Sequence, residues 1–429
     1  MKTYTQVLSL LGILTIMSCN NVDDNNLDSD STPQLSDNIE VYDASNIHNG
    51  LVFAVENGSQ TSYLLDKTGK RVHTWDFDSK SGNNLELLPN GKILGMFKAE
   101  NHNPKLSFGG YGGVVKIINT DNTLDWEYNY SDSDHLAHHD VKMLPNGNVL
   151  FLAWEKISTA TAQAAGVDVT HDIFPEKLME IDPATDEIVW EWRSWDHIIQ
   201  DIDANLLNFG DLATNPQLIN INYNLIPSGD IMHSNGLDYD PDKDVVYLST
   251  NYYSEVWVVD HSTTTAEAKS STGGNYNKGG DLVYRFGNPT TYNNTVGQKL
   301  FDRNHFPNFI ENGLPGAGNL LIFVNGISVE QSTVYELDLP DTFSLLPNTD
   351  NEPPVVWSFT DSDLFSSKIS GAVRYANGNT LICEGDYGFW EITSSGEIAW
   401  KYNGQEQSFW RAYAIELDNV GLANLGISF

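Results

Sequence analysis

The sequence predicts an all-β fold, a six-bladed β-propeller made of four-stranded antiparallel blades. Three observations carry this prediction: two sequence phrases alternate along the chain, together they make a unit of four strands, and the unit recurs about six times. Repeats of four strands, at roughly 40 to 60 residues each, are what a β-propeller requires. No helical periodicity of comparable length interrupts them.

The first phrase is an apolar alternation around a tight turn. It runs as NNLELLPNGKILGMF from Asn83, HHDVKMLPNGNVLFLA from His138, HSNGLDYDPDKDVVYLS from His233, HFPNFIENGLPGAGNLLIFVNG from His305 and SGAVRYANGNTLICEG from Ser370. Each copy predicts strand, turn and strand, because period-two apolar residues flank Asn-Gly or Asp-rich turn chemistry. In a propeller, such a copy supplies the inner pair of strands of one blade.

The second phrase is a strand ending in an acid or Asn, a turn, and a strand that carries an aromatic residue. It occurs intact as YLLDKTGKRVHTW, KIINTDNTLDWEY, MEIDPATDEIVWEW and FWEITSSGEIAWKY. Two further copies are split, since VWVVDHS is followed late by DLVYRFG and YELD is followed late by VVWSF. These copies supply the outer pair of strands of each blade.

The two ends of the chain carry complementary half-units. Residues 51–77 supply outer strands with no inner pair before them, whereas RAYAIELDN from Arg411 reads as an inner strand with no outer pair after it. We expect the N-terminal strands to pair with this C-terminal strand, which closes the ring and removes exposed sheet edges. Two stacked β-sandwiches are the rival all-β fold, but they would not predict complementary half-units.

Residues 1–19 read as a lipoprotein signal peptide. A lysine precedes the apolar run VLSLLGILTIM, which is too short to span a bilayer, and Ser18 and Cys19 follow it. Because a cysteine stands where cleavage would fall, we expect Cys19 to be acylated and to tether the protein to a membrane. This predicts a cell-envelope lipoprotein on the periplasmic or cell-surface side of the outer membrane. A plain signal peptide with an incidental cysteine is the alternative.

Residues 20–45 predict a disordered acidic tether, since they hold almost no large apolar side chains and cannot bury enough surface to fold. Residues 46–429 then form a single β-propeller domain, because a repeat architecture can distribute the burial of so long a chain. Beyond the signal only Cys383 remains, so neither an internal disulfide nor a cysteine zinc site is available. We expect Cys383 to be buried.

The excess of acidic residues argues against a nucleic-acid partner. The chain holds 58 acidic and 23 basic residues, a net charge of −35, and nucleic-acid binding depends on clustered Lys and Arg. A GxxxxGK phosphate loop is absent, which argues against nucleotide-dependent transfer. No CxPxR sulfatase signature is present. We predict no cofactor, and the oligomeric state stays open.

Several polar residues occupy matching repeat positions. Because the residues just before an inner strand lie at one mouth of a propeller, we expect their side chains to converge on a shared funnel. Alignment of the repeats on their turns gives one equivalent position to Asn83, His139, His305 and Ser370, with His233 and Arg411 close to it.

Two other interpretations of the histidines are a metal site and a purely structural role. His135, His138 and His139 have a spacing that would suit a metal ion on a helix, but a strand follows them, and we predict no metal site. Alternatively, each histidine only caps a strand or bonds backbone. The convergence of His139, His233 and His305 at matching repeat positions favours a functional role.

The order and combination of the phrases resemble those of the bacterial arylsulfate sulfotransferases, which are six-bladed propellers that need no nucleotide sulfate donor. The likeness covers most of the mature chain, through LLDKTGKRVHTW, HHDVKMLPNGNVL, DIMHSNGLDYD, DLVYRFGNPTTY, HFPNFIENGLPGAGNLLIFVNG, SGAVRYANGNTLICEG and RAYAIELD. The resemblance implies a ping-pong reaction. In it a histidine takes the sulfuryl group from an aryl sulfate and passes it to a phenol, while other histidines and an arginine hold the sulfate oxygens.

The chain matches this family's site only in part. His233 in MHSNG and His305 in RNHFPN match two of the family's channel histidines. The histidine that carries the sulfuryl group in the family falls near Ser370, and no histidine follows His305. The arginine expected after the FxNG turn is missing from GISVEQS, and Asn251 stands where the family often has an arginine.

With that histidine absent, we predict that His305 is the nucleophile and that His233 is the general acid to the departing phenolate. The transferring group carries negative charge on its oxygens, which fixed cations stabilise best. The residues predicted to bind substrate are His139, Arg411, Arg303 and Ser370. The predicted substrates are small aromatic sulfates and phenols.

Two other functions stay open. A catalytically silent propeller that binds a ligand or partner at the cell envelope fits the missing histidine, because a fold can outlive its chemistry. A hydrolase acting on sulfated or glycosidic material is the third hypothesis, although no carboxylate pair stands out among the 58 acids.

Overall fold

The computed structural model describes residues 33–100 and 108–429, and residues 35–429 form one compact unit. The described chain is built from strands that group into six blades, with short helices between some of them. The six-bladed propeller predicted from the sequence is therefore confirmed. No helix in the described residues is both long and apolar enough to cross a membrane.

The first three blades follow the predicted order. After β1 (Ile39–Tyr42), blade 1 contains β2 (Gly50–Glu56), β3 (Thr61–Leu65) and β4 (Arg71–Asp76). Blade 2 contains β5 (Ser81–Leu87), β6 (Ile93–Lys98), β7 (Gly113–Ile118) and β8 (Leu124–Asn129). Blade 3 contains β9 (His135–Met143), β10 (Val149–Glu155), helix α1 (Thr159–Ala164), β11 (Glu176–Asp182) and β12 (Glu187–Arg193).

The connection to blade 4 carries a short parallel pair, β13 (Ile198–Ile199) and β14 (Ile219–Asn220). Blade 4 contains β15 (Ser234–Asp240), β16 (Val245–Thr250), β17 (Glu255–Asp260), helix α2 (Thr265–Ala268) and β18 (Tyr284–Phe286). Blade 5 contains β19 (Asn304–Phe309), β20 (Leu320–Val324), β21 (Thr333–Leu337) and β22 (Val355–Phe359). Blade 6 contains β23 (Gly371–Arg374), β24 (Thr380–Glu384), β25 (Gly388–Ile392) and β26 (Ile398–Asn403), and β27 (Phe409–Glu416) and α3 (Val420–Asn424) end the chain.

The ring closes as predicted, by pairing of the two ends of the chain. Strand β27 is the innermost strand of blade 1 and pairs antiparallel with β2, so the order of that blade is β27-β2-β3-β4. The pairing runs from Gly50 opposite Glu416 to Glu56 opposite Phe409. This contact joins residues separated by almost the whole described chain and leaves the first blade without an unpaired inner edge.

The folded unit begins earlier than the predicted boundary at residue 46. Strand β1, which we assigned to the disordered tether, pairs with β26 and adds a fifth strand to the outside of blade 6. Its sequence, IEVY, alternates apolar and polar side chains and suits the half-buried edge of a sheet. The predicted signal peptide, Cys19 and the first part of the tether, up to residue 32, lie outside the described residues.

The core lies between the blades. Six hydrophobic clusters in the described part of the chain each draw on two neighbouring blades, and one of them joins blade 6 to blade 1. Cys383 is buried in that last cluster, as expected. Neighbouring blades cover both faces of the inner part of each blade, so β2 and β10 are apolar on both faces and buried along their whole lengths, whereas outermost strands such as β8 are largely exposed.

Bulges interrupt the inner strands near one mouth of the channel. The register slips between β9 and β10, β15 and β16, β19 and β20, and β2 and β27. Beside these slips the backbone takes positive φ values, 54° at His139, 53° at His233 and 54° at Phe306, and φ is also positive, 91°, at Ser370 directly before β23. Such angles cost of order 1–3 kcal/mol each in a residue other than glycine and are typical of functional sites. A bulge re-aims side chains, and these bulges turn polar groups towards the axis.

Candidate active site

Residues beside the bulges of the inner strands converge at this mouth. The ring of His139 lies 4.8 Å from that of His233 and 5.6 Å from that of Trp410, measured between centroids. The ring of His305 lies 6.2 Å from that of Trp410. His139 of blade 3 and His305 of blade 5 therefore contact one buried tryptophan, and His233, directly before blade 4, contacts His139. Trp410 was missed in the sequence, although it stands directly before Arg411 at the start of the predicted last strand.

A cavity of ≈ 290 Å³ opens beside this cluster. Two of the predicted site histidines and one predicted arginine line it, together with side chains that the sequence did not single out. The lining residues are His233, Asn251, Tyr252, Arg303, His305, Ile327, Ser367 and Lys368. The cavity thus combines imidazoles, two cations, an aromatic ring and an apolar side chain.

His233 is held by one ring nitrogen and free at the other. Its Nδ1 lies 2.5 Å from Oδ2 of Asp230, and its ring stacks on Tyr252 at 4.7 Å between centroids. No partner of Nε2 is found among the described residues. Burial opposes protonation of His233, but the Asp230 carboxylate outweighs burial and raises the pKa of the imidazole. Asp230, which was not predicted as a site residue, therefore fixes both the orientation and the tautomer of His233.

His305 is engaged at both ring nitrogens. Its Nδ1 lies 2.6 Å from Oδ1 of Asn325, and its Nε2 accepts the backbone N–H of Ile369 at 3.1 Å. The hydrogen therefore sits on Nδ1, and the lone pair of Nε2 is already used. Burial lowers the pKa of His305 to about 3. A weakly basic imidazole with an occupied lone pair is poorly suited to the nucleophilic role that we predicted for it.

Two cations reach the cavity. The Arg303 guanidinium lies 4.3 Å over the ring of Tyr252 and donates from Nη1 to Oδ1 of Asn251 at 3.3 Å. Asn251, at a position where the related family often has an arginine, thus helps to place this one. Lys368 is largely exposed and lies 3.9 Å from Asp386. Lys368 was not predicted as a site residue, because it stands in a loop before the repeat rather than in it.

Arg411 and Ser370 do not line this cavity. Arg411 is buried and donates from Nη1 to Oδ2 of Asp140 at 2.8 Å and from Nη2 to the carbonyl of Asn235 at 3.1 Å. It borders a second cavity, of ≈ 170 Å³, formed by residues further along the inner strands. Ser370 is buried and its Oγ accepts the backbone N–H of Gly385 at 3.0 Å. Their predicted substrate-binding roles therefore receive no support from the geometry.

His139 belongs to the cluster but is buried behind His233. Its Nδ1 lies 2.7 Å from Nδ1 of His138, whose ring stacks on Trp154 at 3.8 Å between centroids. His135 stands apart and bonds Asp132 at 3.1 Å. Within residues 33–100 and 108–429, no three side chains of His, Cys, Asp or Glu are placed to share a metal ion.

A family model described as Arylsulfotransferase (ASST) matches residues 37–418. No curated protein matches the chain. One similar solved structure is a putative 6-phosphogluconolactonase from Bacteroides fragilis NCTC 9343, which is 10% identical; the match covers 86% of this chain and 98% of that chain, with a TM-score of 0.41. Another is a putative 6-phosphogluconolactonase from Bacteroides uniformis ATCC 8492, also 10% identical; that match covers 85% of this chain and 84% of that chain, with a TM-score of 0.39. A third is the hydrazine synthase of Kuenenia stuttgartiensis, which is 11% identical; the match covers 68% of each chain, with a TM-score of 0.38. The family match runs from before β1 to beyond β27, and the chain belongs to the arylsulfotransferase family.

Proposed function

We propose that the protein transfers a sulfuryl group from a phenolic sulfate ester to a phenol, and that His233 carries the group between them. The observation that supports this proposal is the hydrogen bonding of the two ring nitrogens of His233. One ring nitrogen is held by Asp230 at 2.5 Å, while the other has no partner among the described residues and the side chain lines the cavity. An imidazole oriented by a carboxylate is a recurrent form of activated nucleophile.

The reaction takes two displacements. In the first, the Nε2 lone pair of His233 attacks the sulfur of the donor, an N–S bond forms, and the S–O bond to the aryl group breaks to release a phenolate. In the second, the oxygen of the acceptor phenol attacks the same sulfur, the N–S bond breaks, and the acceptor's proton passes to solvent, which balances the phenolate released in the first displacement. His233 returns to its starting form, as a ping-pong mechanism requires.

Arg303 and Lys368 supply the positive charge that the transferring group needs. Both line the cavity, and Arg303 is held against Tyr252 and Asn251. Fixed cations stabilise charge on a transferring group more effectively than mobile water does. The net charge of −35 does not cancel this, because exposed charges beyond about 8 Å are screened at physiological salt.

The aryl group of the substrate has an apolar wall available. Ile327 lines the cavity in the turn where the related family has an arginine, and Tyr252 also lines it. An apolar wall with a few placed polar groups is the usual composition of a small-molecule site. The missing arginine is thus replaced in function by Arg303, which arrives from a different segment of the chain.

A transfer assay tests the proposal. The protein is incubated with 4-nitrophenyl sulfate, with and without phenol, and the release of nitrophenol is followed. We expect acceptor-dependent release that disappears in His233→Ala, persists at a reduced level in His305→Ala, and is unchanged in His135→Ala, a surface histidine. Mass spectrometry of protein mixed with donor alone should find one SO₃ group on the peptide that contains His233. Transfer that survives in His233→Ala and disappears in His305→Ala would restore the sequence-based assignment.

A second candidate function is binding without catalysis. It is favoured by Ser370, which stands near the position of the family's sulfuryl-carrying histidine and whose hydroxyl is buried against the Gly385 N–H. In that case the cavity binds an aryl sulfate or a related anion at the cell envelope. Calorimetric binding of 4-nitrophenyl sulfate, without nitrophenol release under any phenolic acceptor, would support this function over transfer.

The location of the protein is a separate proposal. We propose that Cys19 is acylated and tethers the propeller to a membrane of the cell envelope, on the pattern of residues 1–19. Expressed in a bacterial host with its own leader, the protein should fractionate with membranes, and Cys19→Ala should release it to the soluble fraction. Equal membrane recovery of both forms would contradict the anchor.

A further inference from the structure

Lys368 reaches the cavity on a short segment, residues 366–370, which we call the Lys368 segment. It lies between the end of β22 and the start of β23. Ser366, Ile369 and Ser370 are buried, whereas Ser367 and Lys368 are exposed and line the cavity. The segment is therefore a two-residue tip between two buried ends.

The backbone at the second of these ends is strained. The φ angle is 55° at Ile369 and 91° at Ser370. A left-handed φ in a β-branched residue such as Ile369 is unusual and costs energy, so it persists only where other contacts hold it. The Ile369 side chain supplies one such contact, since it packs in the hydrophobic cluster that contains Trp410.

His305 and Asn325 bond the Lys368 segment on both sides of its tip. Nε2 of His305 accepts the backbone N–H of Ile369 at 3.1 Å, and its Nδ1 lies 2.6 Å from Oδ1 of Asn325. Nδ2 of Asn325 in turn donates to the carbonyls of Ser366 at 2.8 Å and Ile369 at 3.3 Å. One histidine–asparagine pair on blade 5 thus fixes the backbone that supplies Lys368.

The Lys368 side chain itself is weakly held. Within the described part of the chain its charged partner is Asp386, 3.9 Å away, and the Lys368 side chain is 62% exposed. Such exposed pairs contribute little to the placing of a charge. The carbonyl of Lys368, by contrast, accepts a hydrogen bond from Oγ of Ser366. The position of the ammonium group at the cavity therefore depends on the backbone of the segment.

We propose that His305 is a positioning residue, which together with Asn325 holds the Lys368 segment so that Lys368 stands at the sulfuryl group. The inference rests on the proposed function, in which Lys368 supplies positive charge. Burial lowers the pKa of His305 to about 3, so the imidazole is neutral at neutral pH and its Nε2 lone pair can accept the Ile369 N–H. The occupied lone pair, which argues against a nucleophile, is what this role requires.

Two other roles of His305 have to be separated from this one. The hydrogen bond to Ile369 could stabilise the fold alone, or His305 could contact the substrate itself, since it also lines the cavity. A residue that acts through Lys368 loses its effect once Lys368 is removed, whereas the effects of independent residues add. A double-mutant cycle between His305 and Lys368 therefore distinguishes the three roles.

The cycle compares the unsubstituted protein with His305→Leu, Lys368→Met and the double variant. Two quantities are measured: kcat/KM for transfer from 4-nitrophenyl sulfate to phenol, and the calorimetric Kd of 4-nitrobenzenesulfonate, a donor analogue that cannot transfer its group. We expect Lys368→Met to weaken both by about 10–100-fold, the range for loss of a hydrogen bond to a charged group. His305→Leu should cause a comparable loss, and the double variant little more than either change alone.

Further variants check the cycle. His305→Gln keeps an acceptor for the Ile369 N–H and should retain most of both quantities. Asn325→Ala removes the bonds to the carbonyls of the segment and provides a second cycle with Lys368→Met, should thermal unfolding show that His305→Leu does not fold. The controls are Lys80→Met, at an exposed lysine outside the cavity, and His197→Gln, at a buried histidine bonded to Asp281, and both should leave the two quantities unchanged.

The outcomes separate this inference from the proposed function. Additive losses in the double variant, or a loss of thermal stability in His305→Leu without a change in Kd, would overturn the positioning role. The same holds if Lys368→Met changes neither quantity. Binding of the sulfonate that shows the expected cycle, without transfer by the unsubstituted protein, would instead contradict the proposed function and leave His305 as a positioning residue of a binding site.

Discussion

Two histidines at the same mouth differ in chemistry because their partners differ. His233 faces a carboxylate, which raises its pKa, whereas His305 faces an amide oxygen and a backbone N–H, and burial lowers its pKa to about 3. Sequence position alone could not separate them, since His233 stands directly before an inner strand and His305 is the second residue of one. Asp230, which decides the difference, comes from the loop before blade 4 and carries no repeat signal.

The pH dependence of transfer should report on His233. The nucleophile must be unprotonated, so kcat/KM should rise with pH through a pKa above the ordinary histidine value of about 6.5. Asp230→Asn removes the group that raises this pKa and leaves burial, which lowers it. The rising limb should therefore move to lower pH in Asp230→Asn, in assays with 4-nitrophenyl sulfate.

A matched control for this profile is available. Asp244 and His261 form a second aspartate–histidine pair, 2.7 Å apart, outside the cavity. Asp244→Asn should leave the rising limb where it is in the unsubstituted protein. A limb that does not move in Asp230→Asn would show that another group titrates, and His233 would lose its assignment as nucleophile.

At the scale of elements, strand positions were predictable and bulges were not. Period-two apolar patterns and Asn-Gly turns place the hairpins within a few residues of β5–β6, β9–β10 and β23–β24. A bulge adds one residue without altering composition, so it leaves no such pattern. In β27 the bulge sets Trp410 between residues paired with Val55 and Glu56, and the alignment on turns chose Arg411 instead.

The contact between blades 1 and 6 contains a buried ion pair with a measurable role in stability. Nζ of Lys67 lies 2.5 Å from Oε2 of Glu391 and 2.8 Å from the hydroxyl of Tyr375, and it lies 4.5 Å over the ring of Trp400. Lys67→Met leaves Glu391 buried without its charge partner. We expect the free energy of unfolding to fall by about 3–5 kcal/mol in denaturant titrations.

Two comparisons check this assignment. The double variant Lys67→Met with Glu391→Gln should recover most of the lost stability, because no unpaired charge is left buried. Lys92 and Asp125 form a more exposed pair at 2.8 Å, and Lys92→Met should change stability by no more than about 1 kcal/mol. Equal losses from the buried and the exposed pair would contradict the role given to burial.

At the scale of the whole molecule, the repeat count and the closure were predictable because both follow from half-units at the chain ends. The composition of the site was predictable only where the repeats supply it. His233, His305 and Arg303, which the sequence singled out, line the cavity, but Lys368, Tyr252 and Asp230 reach the site from loops, whose course depends on contacts between blades. Non-repeating segments give no alignment from which to predict convergence.

Because β27 closes the ring and β1 does not, the two terminal strands should differ in their importance for stability, and truncation can test this. Strand β27 is the inner strand of blade 1 and carries Trp410 and Arg411 at the centre, whereas β1 only covers the outside of blade 6. A chain that ends at residue 408 should lose cooperative thermal unfolding, because blade 1 would lack its inner strand and the core beside it would be exposed. A chain that begins at residue 46 should still unfold cooperatively and keep transfer activity, since its loss is confined to an outer edge. If both truncated chains unfolded cooperatively, pairing of the chain ends would not be what holds the six blades in a closed ring.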